Sequence, residues 1–137
     1  MKARTLIGLW KANVPPWVWI CFPLWIGPII LGLDGRAPDW LPIALFLATV
    51  TVIMSIAEFA NTYADRDEDW LYGPTNPLVT GELNAVRARN TFILQNILAG
   101  LLLVALLVVV PSYALAITMI MGWFAGIAYS LSPFRFK

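Results

Sequence analysis

The chain has 137 residues, 60% of them hydrophobic and 12% charged, with a net charge of +1 and no histidine. Soluble domains are about half apolar and about a quarter charged. With a mean hydropathy of +0.76, this composition excludes an ordinary soluble domain and reads as an integral membrane protein. The near-neutral balance offers no field for nucleic acid, and a single cysteine, Cys21, excludes an internal disulfide.

Met1 to Lys11 carries three basic residues ahead of the first apolar run, as a signal peptide does. That run is long, rich in Trp and Pro, and lacks a small-x-small cleavage site. The expectation is an uncleaved first span over residues 14–33. Pro15 and Pro16 mark its start, Pro23 and Pro28 kink it, and Trp17, Trp19 and Trp25 fit an interfacial belt or core packing. A polar loop, Asp34 to Asp39, leads into a second span at 41–60. Helix is expected to continue to about residue 69, because the breakers Gly73, Pro74, Asn76 and Pro77 come only later. Residues 61–90 form a cytoplasmic loop with a turn at Gly81 and a short helix near 84–89. The third and fourth spans fall at 91–110 and 114–131, and Gly122 and Gly126 in the fourth make a small-xxx-small pattern for close helix approach. The fold class is therefore all-α, a single integral membrane four-helix bundle over residues 1–137.

Lys2, Arg4 and Lys11, then Arg66, Arg87 and Arg89, then Arg135 and Lys137 lie on one side of this arrangement, against Arg36 on the other. The positive-inside rule predicts a multi-pass protein of the cell inner membrane with both termini and the 61–90 loop in the cytoplasm.

The loop contains the chemistry. Five of the eight acidic residues fall between Glu58 and Asp69, where a hydrophobic segment ends. Such a cluster is costly unless a cation binds it. Asn61, Asp65 and Asp69 are spaced by four, and each such step turns a helix by only about 40°, so the three form one stripe. Glu58 and Tyr72 fall within it, Asp67 points elsewhere and Glu68 sits near its edge. Hard oxygen donors at the mouth of a bundle suit Mg²⁺, which favours a few carboxylates completed by phosphate and water. On spacing alone a solvated helix end paired with Arg66, Arg87 or Arg89 fits the same residues, as does a Ca²⁺ or cation-transport site.

Asn61-x-x-x-Asp65-x-x-x-Asp69 resembles the first aspartate-rich motif of the UbiA superfamily of intramembrane prenyltransferases. Asp65-Arg66-Asp67-Glu68-Asp69 is similar to that family's D-R-E-x-D run. Asn76-Pro77-Leu78-Val79-Thr80-Gly81-Glu82 is similar to its R-P-L-x-S-G segment, and Tyr129 to Lys137 to its Tyr-Ser-x-x-P-x-R-x-K end of the fourth helix. Trp17-Val18-Trp19 before Pro23 and Gly27 looks like its first span.

The resemblance implies Mg²⁺-dependent transfer of a prenyl group from an isoprenyl diphosphate to an aromatic or other lipophilic acceptor within the bilayer. It implies Asn61, Asp65 and Asp69 as metal-binding and catalytic residues, with Arg66, Tyr129 and Arg135 joining them around the substrate. Family members have eight or nine spans in two halves, each with an aspartate motif. This chain corresponds to the N-terminal half, so a truncated or fragmentary form is expected, or self-association of two copies. A non-catalytic pseudoenzyme or partner subunit, and a prenyl-diphosphate cyclase on the same scaffold, are the alternatives. Family Lys and Arg positions after the motif align with Gly73 and Asn76.

Overall fold

The computed structural model describes residues 3–13, 26–27, 29, 37–72 and 75–131. The described residues are helical with no strand. The elements are α1 (Ala3–Asn13), α2 (Trp40–Ala64), α3 (Arg66–Tyr72), α4 (Ala85–Val109) and α5 (Tyr113–Ser130). The expected span at 14–33 falls almost wholly outside the described residues. Helices α2, α4 and α5 are each long and apolar enough to cross a membrane, which makes this a helical integral membrane protein.

Each spanning helix starts on a side chain that replaces a missing carbonyl partner. Asp39 accepts from the Leu41 amide at 3.2 Å, Asn84 from the Arg87 amide at 2.8 Å, and Ser112 from the Leu115 amide at 3.3 Å. The Asn84 cap explains a difference from the sequence expectation. The short helix expected near 84–89 is the first turns of α4, which runs without a break from Ala85 to Val109. The polar Arg87-Ala88-Arg89-Asn90 stretch is simply the part of that helix outside the apolar layer.

Helix α2 is central, packing along both α4 and α5 and touching α1. Ile53 and Ile56 of α2 meet Ala99 and Leu103 of α4 and Met119 of α5 in one buried cluster. The opposite side of α4 exposes Leu94, Ile97, Leu101, Val104 and Val108. That is a second apolar stripe at helical spacing, facing outward as lipid contact requires. Lipid is as apolar as leucine, so burial alone does not hold such helices together. Close approach and hydrogen bonds do. A Cβ added to Gly126 would lie 2.8 Å from the Ala57 Cβ, so α5 crosses α2 at a contact only glycine permits. Gly122, the other half of the predicted small-residue pattern, meets nothing within 4 Å. Trp123 Nε1 donates to Asn96 Oδ1 at 3.0 Å, tying α5 to α4.

Helix α1 is short and amphipathic. Thr5, Gly8 and Ala12 are buried, while Leu6, Ile7 and Trp10 are exposed. Its buried side covers the 75–84 loop. A Cβ on Gly8 would sit 3.0 Å from the Glu82 carbonyl carbon. Lys11 Nζ pairs with Glu82 Oε1 at 2.9 Å, Arg4 donates to the Thr80 carbonyl at 2.9 Å, and Arg87 donates to the Thr5 hydroxyl at 2.8 Å. At its end, Asn13 accepts from Gln95 of α4 through its side chain and from the Ser55 hydroxyl of α2 through its carbonyl.

Candidate functional site

The acidic stripe begins inside α2 and ends inside α3. The sequence gives no breaker before Gly73, yet the helix is interrupted by one residue, Asp65, with φ −82° and ψ −2°. A cause lies seventy-six residues into the chain. The Asn76 side-chain amide donates to the Thr62 carbonyl at 2.7 Å, the acceptor that an unbroken helix offers to residue 66. The stripe itself survives. Asp65 N–H donates to the Asn61 carbonyl at 2.9 Å and Asp69 N–H to the Asp65 carbonyl at 2.8 Å. Asn61, Asp65 and Asp69 are thus stacked one helical turn apart, each half-buried.

Asn61 faces α5. The Ser130 hydroxyl, on a residue only 1% exposed, donates to Asn61 Oδ1 at 3.3 Å. Tyr129 joins them, and with Ala57, Glu58 and Gly126 these residues line an open cleft of about 260 Å³. The Gly126–Ala57 crossing is one wall of it. The sequence reading singled out Tyr129, and the structure brings it beside Asn61. Ser130, its neighbour, is the residue that touches the stripe.

Asp69 faces the loop. Asn76 donates to Asp69 Oδ2 at 2.9 Å with the same amide group that reaches Thr62. Arg66 takes a different direction. Its Nε donates to Asp67 Oδ1 at 3.0 Å, and its guanidinium lies 5.9 Å from the centre of the Tyr63 ring. The hydrogen bond and charge of Asp67 raise the Arg66 pKa further above its ordinary value, so it is a permanent cation beside the stripe. Arg135 lies outside the described residues. Nor does a described acidic, histidine or cysteine trio converge as a metal-holding group. The candidate set is one amide and two carboxylates, all oxygen donors. That chemistry fits Mg²⁺ with its remaining positions open to water and phosphate, and does not fit a closed protein cage.

A larger cavity, about 370 Å³, lies on another face of α2, since Tyr63 is about 200° around the helix from Asn61. Phe59, Tyr63, Val86, Phe92 and Leu131 make it apolar, with Arg89 the one cation among the described residues that line it.

A model of the UbiA prenyltransferase family matches residues 11–137, nearly the whole chain. The chain belongs to the UbiA prenyltransferase family. No curated protein and no solved structure matches it. Within this UbiA-family chain, sequence reasoning missed Asn76 as a partner of the stripe, having placed it as a helix breaker and as a position where relatives carry a cation. The signal was the Asn76-Pro77 dipeptide, which favours a turn whose Asn side chain bonds nearby backbone. Asn76 Oδ1 indeed accepts from the Leu78 amide at 3.0 Å.

Proposed function

We propose that the chain binds an isoprenyl diphosphate through Mg²⁺ held by Asn61, Asp65 and Asp69, and that it serves prenyl transfer to an aromatic or other lipophilic acceptor. Family membership supports prenyltransferase chemistry in general. The observation that carries the specific site is the turn-on-turn stacking of Asn61, Asp65 and Asp69 at the mouth of the bundle, beside the Tyr129–Ser130 end of α5. The metal would supply charge neutralisation to a departing diphosphate. In the transfer, the bond between the prenyl C1 and the diphosphate oxygen breaks, and the electron pair leaves with the diphosphate. The acceptor carbon bonds to C1 and gives up a proton.

The chain's own residues have distinct tasks in this reading. Asp65 and Asp69 bring two negative charges to the metal, and Asn61 adds a neutral oxygen oriented by Ser130. Arg66 is exposed and one residue from Asp65, in reach of the diphosphate once Asp67 releases it. Tyr129 lines the cleft against which the substrate lies, and Arg135 is assigned to the substrate by its motif position. The site belongs on the cytoplasmic side of the inner membrane, where loop charge puts residues 61–90.

The test is Mg²⁺-dependent binding of farnesyl diphosphate to the purified chain in detergent. Binding is expected to be lost in Asp65→Ala and in Asp69→Ala. Unchanged binding in both would remove the assigned site. A second reading is a binding module that becomes a catalyst only with a second acidic motif, from another copy or a C-terminal half. The observation favouring it is that the set holds only two carboxylates, with no converging trio of Asp, Glu, His or Cys among the described residues. Turnover by the 137-residue chain alone decides against this second reading, and product formation without an acceptor would point instead to a cyclase.

A further inference from the structure

We propose that Asn76 is a positioning residue for the metal-binding carboxylate of Asp69, a role that rests on the function proposed above. Asn76 is 4% exposed, and its side-chain amide, side-chain oxygen and main-chain carbonyl are all engaged. Its side-chain amide donates to Asp69 Oδ2 at 2.9 Å and to the Thr62 carbonyl at 2.7 Å. Its side-chain oxygen accepts from the Leu78 amide, and its carbonyl accepts from the Val79 and Thr80 amides, each at 3.0 Å. One buried side chain therefore joins three things: the last turn of α2, the Asp69 carboxylate on α3 and the turn that opens the 75–84 loop.

The geometry assigns each bond a different consequence. The bonds to Leu78, Val79 and Thr80 build the turn. The bond to Thr62 fixes Asn76 against the end of α2. With those in place, the second amide hydrogen can point only where Asp69 is. It holds one carboxylate oxygen and leaves the other for a ligand, so Asp69 is oriented rather than free to rotate. Asn76 is also neutral. Its amide donates to the carboxylate without adding a positive charge beside it. Partners of this kind are worth about 10- to 100-fold in metal affinity where they have been removed from metal sites.

The experiment is a double-mutant cycle on Mn²⁺ binding by the full chain in detergent micelles. It is read by the loss of the free-ion electron paramagnetic resonance signal, with no diphosphate present. Asn76→Ser keeps a hydroxyl that can accept from the Leu78 amide but is too short to reach Asp69. It is expected to weaken Mn²⁺ binding by about 10- to 100-fold. In an Asp69→Asn background, read at Mn²⁺ concentrations high enough for Asn61 and Asp65 to hold the ion weakly, the same change is expected to cost less than about twofold, because the group it orients is no longer a carboxylate. An equal cost in both backgrounds means that Asn76 only builds the loop, and overturns the proposal, as does an unchanged affinity in Asn76→Ser. A second readout needs no change at Asn76. The side-chain amide resonance of Asn76 is expected to shift on Mg²⁺ addition in the wild-type chain and to stay fixed in Asp69→Asn; a silent resonance in the wild type also overturns the role. Failure of the wild-type chain to bind Mn²⁺ at all removes the metal site itself and this role with it. Binding that ignores Asn76 removes only the role.

Discussion

Gly126 of α5 lies against Ala57 of α2 so closely that a Cβ on the glycine would come 2.8 Å from the alanine Cβ. Both residues also line the cleft beside Asn61. Gly126→Ala is therefore expected to push the helices apart and lower stability by about 1–3 kcal/mol, the usual cost of overpacking. Gly122→Ala, with open space around it, is expected to change little. Thermal unfolding of both variants in the same detergent checks the contrast.

The Ser130 hydroxyl is buried and its acceptor is Asn61 Oδ1. Ser130→Ala removes one neutral hydrogen bond, worth about 0.5–1.5 kcal/mol. Mg²⁺-dependent farnesyl diphosphate binding is expected to weaken by only a few-fold. Asn61→Leu removes the stripe's own oxygen as well and is expected to cost far more. Titration calorimetry on the two variants ranks them.

Arg66 and Asp67 form an exposed pair at 3.0 Å, with 46% and 83% of their side-chain surfaces accessible. Exposed pairs contribute little, too little to hold Arg66 against a diphosphate. Asp67→Asn both frees the guanidinium and removes a negative charge near the stripe. Diphosphate affinity is expected to rise about two- to fivefold at low salt, with the gain shrinking as ionic strength rises. An affinity unchanged at low salt would separate Arg66 from substrate binding.

Two of the contacts that hold α1 on the loop differ in strength. Lys11 is half-exposed and Glu82 only 17% exposed, so Lys11→Ala is expected to cost about 1 kcal/mol, the loss of one hydrogen bond. Gly8 meets the Glu82 backbone, where no flexible side-chain end can yield. Gly8→Val is expected to lift α1 from the loop and to expose residues 75–84 to protease, while Lys11→Ala leaves the cleavage rate near that of the wild-type chain. Limited proteolysis in micelles reads both.

The legibility of this chain follows the range of its interactions. The membrane class and the all-helical fold were written in composition and in long apolar runs, because lipid imposes those over twenty residues at a time. The stripe was legible because four-residue spacing is local, and the backbone bonds from Asn61 to Asp65 to Asp69 keep it. The break at Asp65 was not, since the competitor for the Thr62 carbonyl comes from Asn76, beyond a different helix. Gly126 and Gly122 looked equivalent in sequence. Only the path of α2 decides which of them meets a neighbour. The docking of α1 on Glu82 and Thr80 joins residues more than seventy positions apart, a pairing that no spacing rule encodes.

The one-residue interruption has a mechanical consequence. Asp65 is the knuckle between α2 and α3, and Asp69 stands on the far segment. An ion held by both carboxylates, as proposed, would span a joint, so its binding energy would depend on the angle at which α3 leaves α2. By reciprocity, whatever stiffens that joint would tighten the grip, and the grip would stiffen the joint. The 75–84 loop and the α1 clamp above it then act as a splint, and the amides of α3 should exchange with solvent more slowly once the ion is seated.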